Sequence, residues 1–488
     1  MNWYNRLSRH MTRLKEINNL KSSTALIIFI PLAIFVFSYF LQFSFALPLL
    51  LLVCALYLHF SYKEIPNLLL DLGLLITLLV FTTYLIVGYS SVRYYYIPVA
   101  AVSMLAALLF NERGLVFLIS VLSALLVGII CGHNFHLSMV FLLGSLTGGW
   151  VVFGARRRSQ IIKAGFYAGL VQFATPALLN PSKEFLLYER FFFAYTVPLI
   201  GNGIICAGIV AVTLPIFEYL FKVLTNISLL ELADFNNPIL KEMIVKAPGT
   251  YHHSLMVGNL AEAAANSIGA NSLLARVGAY YHDIGKTEKA GYFSENQSDA
   301  ESKHDNLKTT MSKMIIINHV KEGLELAKKY RLSPVLSEFI TQHHGTSLAH
   351  YFYWRALVKL ESGDKEVEEE VFRYPGPKPQ RRETAIVLLA DSVEAATRTL
   401  EDPTPNRIEE LVRKIINNKF IDGQLDECEL TLKDLERISA TFVKALTAIY
   451  HSRVKYPEIK NGNSNNQSAE KNHKTENSRK SDQKNPAA

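Results

Sequence analysis

Cysteine is scarce, at four residues in 488. Cys54, Cys131 and Cys206 lie in apolar runs and Cys428 in a polar stretch, so neither a disulfide framework nor a Cys-type zinc site is expected. Strand signals are scarce as well, which argues against any sheet-based fold, and no repeat of the solenoid kind is present. The formal net charge of +7 is mild and no basic-aromatic motif accompanies it, so no nucleic-acid polymer is expected as a partner. Met1 to Ser23 is basic, with Arg6, Arg9, Arg13, Lys15 and Lys21. It is not expected to be a cleaved leader, because the apolar stretch after it is too long for an h-region and no small-residue cleavage site stands out.

Apolar residues are plentiful and unevenly placed. Hydrophobic residues make up 50% of the chain and the mean hydropathy is +0.16. They concentrate before about residue 222, and the charges concentrate after it. Residues 24–62 are too long for one span, since a span needs about 20 residues, and a turn near Gln42 to Ser44 divides them in two. Further apolar segments cover 68–89, 94–110, 114–131, 135–153, 161–179 and 190–221, which gives about eight spans. Lys63, Arg113, Arg156-Arg157-Arg158 with Lys163, and Lys222 follow every second span. By the positive-inside rule these loops, the N-terminus and the polar half face the cytoplasm. His133, His136 and Glu218 fall near span ends and are read as interfacial; Trp150 and Tyr94-Tyr95-Tyr96 are read as interface anchors.

The organisation predicted is therefore all-α. A basic lead-in over 1–23 precedes a membrane domain over 24–222, a linker over 223–249, a helical domain over 250–457 and a polar tail over 458–488. The tail lacks the apolar content to order itself. In the linker, Leu229, Leu230 and Leu232, then Ile239, Leu240 and Ile244, predict short helices broken by Pro238 and Pro248-Gly249. Met256, Leu260, Ala264 and Ile268 recur at helical spacing until Gly269; Leu273, Leu274, Val277 and Tyr281 form the next face. Ile315 to Lys329 predicts a helix, Ser333-Pro334 the cap and first residue of another, and Thr384 to Leu400 a third. Phe372 to Arg382 reads as a Pro/Gly-rich loop.

Chemistry gathers in this helical half. His252-His253, His282-Asp283, His319, His343-His344 and Asp391 each fall on or at the end of a predicted helix. Helices around one core can project such groups into a shared pocket. The donors exceed what one tetrahedral zinc needs, and a His/carboxylate set without Cys favours two manganese or iron ions over structural zinc.

At this point the residues resemble a known family. His253, His282-Asp283-Ile284-Gly285-Lys286, His319, His343-His344-Gly345-Thr346 and Asp391 look like an HD-domain phosphohydrolase. Ala247-Pro248-Gly249-Thr250-Tyr251-His252-His253-Ser254, Glu295-Asn296-Gln297 and the Phe372 to Gln380 loop more closely resemble the seven-transmembrane HD (PgpH-type) cyclic di-AMP phosphodiesterases of bacteria. That family usually carries a large extracytoplasmic domain after its first span. This sequence has only the short loop near Gln42, so a sensory function for that domain is not carried over, while regulation through the membrane domain stays an open expectation. It also reads Ser302-Lys303-His304-Asp305 where the family has Asn-Pro before His-Asp.

The resemblance implies a cytoplasmic HD domain in which His253, His282, Asp283 and Asp391 hold one metal, and Asp283, His319, His343 and His344 the other. It also implies that His253, rather than His252, is the ligand, with apolar Val257 four positions on. Asp283 and Lys286 are the expected catalytic residues; Lys286, His304, Arg373 and Lys378 are expected to contact substrate. The predicted activity is hydrolysis of cyclic di-AMP to linear pApA at the bacterial inner membrane, with Mn or Fe as cofactors, the lipid bilayer as a partner and a homodimer as an open expectation. The alternatives are a nucleotide-binding receptor with little turnover, or an HD phosphohydrolase acting on another nucleotide. A transporter is disfavoured, because the spans lack paired broken helices and central charges.

Overall fold

The computed structural model describes residues 56, 67–89, 94–179, 196–297, 303–304, 307–358 and 368–450, and among the described residues of the first half six apolar helices follow in sequence. They are α1 (Leu68–Tyr89), α2 (Val99–Phe110), α3 (Arg113–Ile130), α4 (Phe135–Val152), α5 (Arg158–Leu179) and α6 (Val197–Phe221). Among the described residues five of these are long and apolar enough to cross a membrane, and α2 with the turn before it is a shorter apolar helix. The two spans expected within 24–62, the basic lead-in, the start of the span expected over 190–221 and the polar tail lie outside the described residues.

Lipid gives apolar side chains no reason to bury, so such helices associate through close backbone approach and a few polar contacts. Both are present. A Cβ at Gly165 would lie 2.3 Å from the Gly203 carbonyl oxygen, and one at Gly203 would lie 2.1 Å from the Gly165 oxygen, so α5 and α6 cross in backbone contact. Buried Asn202 donates through Nδ2 to the Ile97 carbonyl at 2.9 Å. The Arg113 guanidinium lies over the rings of Trp150 and Phe153, at 5.5 and 5.2 Å. This brings two loops expected to share a side to one end of the bundle. At that end Arg158 reaches Glu231 at 2.7 Å. Glu218, read as interfacial, is buried at the end of α6; it accepts from the Thr225 amide and the Ser228 hydroxyl at 2.8 and 2.7 Å, clasping the start of the next helix.

The second half is also helical: α7 (Asn226–Leu232), α8 (Pro238–Lys246), α9 (Pro248–Ser267), α10 (Ser272–Tyr281), α11 (Thr309–Lys329), α12 (Pro334–Gln342), α13 (His350–Val358), α14 (Arg382–Thr397), α15 (Pro405–Ile421) and α16 (Leu432–Tyr450). Among the described residues the sheet content is one isolated bridge, Leu348 to Arg373. The two short linker helices are separated at Pro238 and Pro248 as expected, and each proline also opens the next helix as its first residue, where proline loses no hydrogen bond. Ser333 caps α12 as expected, accepting from the Val335 amide at 3.3 Å. The sequence reading did not delimit α15 and α16. They close the far side of the core, where Ile408, Val412, Ile438 and Phe442 are buried with Ile386 and Leu389 of α14.

Candidate metal centre

Five helices deliver the donors. The apolar face of α10, with Val277 and Tyr281 fully buried, runs the chain into the core and leaves His282 at the helix end. Asp283 follows and opens a 3-10 turn over Ile284–Tyr292. His253 comes from α9, His319 from α11, Asp391 from α14, and His343 from the C-cap of α12, with His344 next. His253, His282, Asp283, His319, His343 and Asp391 are buried, although the chain separates them widely. His252 points to solvent.

Asp283 is the centre of the arrangement. Its Oδ2 lies 3.1 Å from His282 Nε2 and 3.6 Å from His253 Nε2; its Oδ1 lies 3.4 Å from His319 Nε2 and 3.5 Å from His343 Nε2. Two groups of donors, His253/His282/Asp283 and Asp283/His319/His343/His344, each converge within 4.8 Å and share that carboxylate. Asp391 completes the ring, 3.0 Å from His253 Nε2, 4.0 Å from His282 Nε2 and 3.7 Å from His344 Nδ1.

The histidines are set as ligands. His282 donates its Nδ1 proton to the Ala279 carbonyl at 2.6 Å, His319 to Ile316 at 2.5 Å and His343 to Phe339 at 2.9 Å. A carbonyl can only accept, so in the neutral rings Nε2 carries the lone pair, and all three Nε2 atoms face inward. His253 is oriented by Glu394, which accepts from Nδ1 at 2.6 Å. Such outer contacts fix ring orientation and tautomer in metal sites. His319 Nε2 and His343 Nε2 stand 3.3 Å apart. His282 Nε2 and Asp283 Oδ1 are buried with no hydrogen-bond partner. Inward lone pairs and an orphaned carboxylate oxygen in a closed core are costly unless a cation sits between them. The donor set fits divalent metal.

The electrostatics agree. Burial pushes His319 down to about 4, Asp283 opposing it and His343 assisting. Burial and the neighbouring His343 hold His344 well below the usual range. Both are therefore neutral imidazoles at pH 7. Burial opposes the charge of Asp283, yet His282 and Lys286 hold it ionised well below the usual carboxylate range. Burial would neutralise Lys286 too, but Asp283 at 2.7 Å and Glu295 at 3.0 Å keep it charged.

A cleft of about 700 Å³ opens onto the donors. Lys286 and His304, two of the four expected substrate contacts, line it. Arg373 and Lys378 are not among its lining residues. Arg373 is committed to Glu369, Asp422 and the Thr346 carbonyl at 2.6, 2.9 and 2.9 Å, and Lys378 sits against Asp426 at 3.4 Å. Three groups escaped the sequence reading. Glu394 lies one turn after Asp391 on α14, and that spacing was its available signal. Glu295, named only as part of a motif, holds Lys286 and accepts from the Thr250 hydroxyl at 3.1 Å. Tyr374 stacks on His344 with centroids 4.1 Å apart, a contact no local pattern announces. Replacing Glu394 by Gln keeps the shape but weakens the partner of His253. Manganese affinity at the His253 group should fall roughly 10- to 100-fold, with the His319 group little changed, as counted by metal titration.

Residues 36–225 match the family model described as 7TM receptor with intracellular HD hydrolase, and residues 250–396 match the HD domain. Over 375 residues the chain is 40% identical to the cyclic-di-AMP phosphodiesterase PgpH of Bacillus subtilis, covering 75% of this chain and 51% of that protein. It is 39% identical to the protein of that name from Listeria monocytogenes, covering 74% of this chain and 50% of the relative. The chain thus spans about half the length of the curated relatives it matches. A crystal structure of the L. monocytogenes PgpH HD domain in complex with cyclic-di-AMP is 47% identical, with a TM-score of 0.42, covering 45% of this chain and 100% of that one.

Proposed function

This chain belongs to the family of 7TM receptors with an intracellular HD hydrolase domain, and from that premise we propose that it is a membrane-anchored, two-metal phosphodiesterase that hydrolyses cyclic di-AMP to linear pApA. The observation that carries the proposal is the sharing of one buried carboxylate, Asp283, by two groups of inward-facing imidazoles. His253, His282, Asp283, His319, His343 and His344 would hold two divalent ions, which would supply Lewis acidity for activating water and charge to offset an anionic diester. Manganese or iron suits this cysteine-free donor set.

The chain's own side chains do the rest. Asp283 stays anionic and joins the two donor groups. Glu394 orients His253 through Nδ1, leaving Nε2 for the metal. Lys286, charged and fixed by Asp283 and Glu295, puts a cation at the cleft floor within reach of a phosphate oxygen. The pocket around these groups is large enough for a ligand of this class. Bundle and catalytic half are joined through Arg158 to Glu231 and the Glu218 clasp, consistent with a cytoplasmic HD domain against the inner leaflet of a bacterial membrane.

The direct test is turnover. The full chain in detergent, loaded with Mn²⁺, is given cyclic di-AMP, cyclic di-GMP and a linear dinucleotide, and products are separated by chromatography. Preferential conversion of cyclic di-AMP to pApA, abolished by chelation and restored by Mn²⁺, is expected. Binding without turnover in the metal-loaded protein would overturn the enzyme reading.

Loading should also release a proton. Burial disfavours the His253 cation, but Asp391 and Glu394 outweigh it and push the metal-free group up to about 10. At pH 7.5 a metal must therefore displace the Nε2 proton, so about one proton should leave per chain on filling this group, and affinity should climb as pH rises toward 10. Calorimetry in buffers of different ionisation enthalpy reads this directly. In metal-free protein the sign reverses. A raised pKa means the ion pair stabilises fully below about 6.5, and that contribution is lost as pH rises through about 10.

A further inference from the structure

We propose that Arg398 receives the second phosphate of the cyclic dinucleotide, the one that does not react, and so selects substrates with two phosphodiesters. This rests on the reading of the site as a cyclic-dinucleotide phosphodiesterase. A cyclic dinucleotide carries two anionic diesters. If one lies over the metals, the other enters the same cleft and needs a counter-charge, because an unpaired buried charge is expensive. Arg373 and Lys378 are unavailable, held off the cleft by Glu369, Asp422 and Asp426. Among the described residues lining the cleft, the lysines and arginines are Lys286 and Arg398. Lys286 is buried between Asp283 and Glu295 at the floor. Arg398 stands at the mouth, its side chain 43% exposed, with a loose contact of 3.8 Å to Glu394 Oε1.

Placement supports the assignment. Asp391, Glu394 and Arg398 follow at helical spacing, so they share one face of α14 and its C-terminal end. Asp391 and Arg398 are two turns apart, about 10 Å along the axis. Long side chains on a helix lean back toward its N-terminus, which here means toward Asp391 and the donor ring. A guanidinium also matches the forked geometry of a phosphate better than an ammonium does. The site thus has two separated phosphate positions: one over the metal donors and Lys286, the other under Arg398.

The experiment compares two substrates on the Mn²⁺-loaded full chain in detergent. Cyclic di-AMP has two phosphodiesters; bis(p-nitrophenyl) phosphate has one. In R398Q, KM for cyclic di-AMP should rise roughly 10- to 100-fold, the loss of a charged hydrogen bond. Its kcat, its metal content and its turnover of bis(p-nitrophenyl) phosphate should stay at the wild-type level, and R398K should recover part of the loss. An unchanged KM for cyclic di-AMP would overturn the assignment. So would a parallel fall on both substrates with loss of metal, which would show Arg398 acting only through Glu394 and His253. A wild-type protein that cleaves bis(p-nitrophenyl) phosphate but no cyclic dinucleotide would overturn the substrate reading beneath it, and this assignment with it.

Discussion

Replacing Asp283 by Asn will remove both metals and nearly all activity. The substitution keeps volume and hydrogen-bonding capacity but deletes the one anion common to both donor groups. Oδ1 faces His319 and His343, and Oδ2 faces His282 and His253, so no neighbouring carboxylate takes over both roles. The expected fall in kcat/KM is on the order of 10⁴-fold, about 5 kcal/mol of transition-state stabilisation. Elemental analysis should find both metals depleted. The fold should persist, because Lys286 keeps its contact with Glu295 and the surrounding apolar core is untouched. A variant that retains a tenth of wild-type turnover with a full metal complement would refute the bridging role of Asp283.

Gly285→Ala should also be damaging without touching a single ligand, though less so than the loss of Asp283. Its Cβ would meet the His319 carbonyl oxygen at 1.9 Å and the Gly323 amide at 2.4 Å. Both are backbone atoms of α11, so no side chain can swing aside, and the helix carrying His319 must move. Overpacking of this kind costs about 3 kcal/mol at its upper end, which a thermal melt will register. Activity should fall by about 10²-fold, since displacing a ligand by about 1 Å is enough for that. Gly208→Ala is the control: its Cβ meets nothing within 4 Å, and neither stability nor activity should drop. A Gly285→Ala protein of wild-type stability and activity would mean that the contact between the 284–292 turn and α11 is looser than the geometry states.

Much of this arrangement was legible in one dimension. The apolar segments, the Ser333-Pro334 helix start and the helix running into His282 all follow from hydrophobic period and capping chemistry, which act over a few residues. Pro238 and Pro248 separate the short linker helices as the sequence indicates, and the flanking caps add that each also starts the helix after it. The charge of Arg373 and Lys378 suits phosphate, but the structure pairs them with Asp422 and Asp426, distant in sequence, which no local pattern announces.

What the chain dictated by itself was the kind of molecule and the kind of chemistry: an apolar helical half, a polar helical half, and a cysteine-free stock of imidazoles and carboxylates at helix ends. What folding alone decided was which of those groups meet. Glu394 behind His253, Tyr374 on His344, and Arg398 rather than Arg373 at the cleft are consequences of how α9, α11, α12 and α14 pack. Local propensity fixes where a helix starts and which face is greasy. The meeting of side chains from five helices depends on the whole core closing at once, and no short stretch of sequence contains that information.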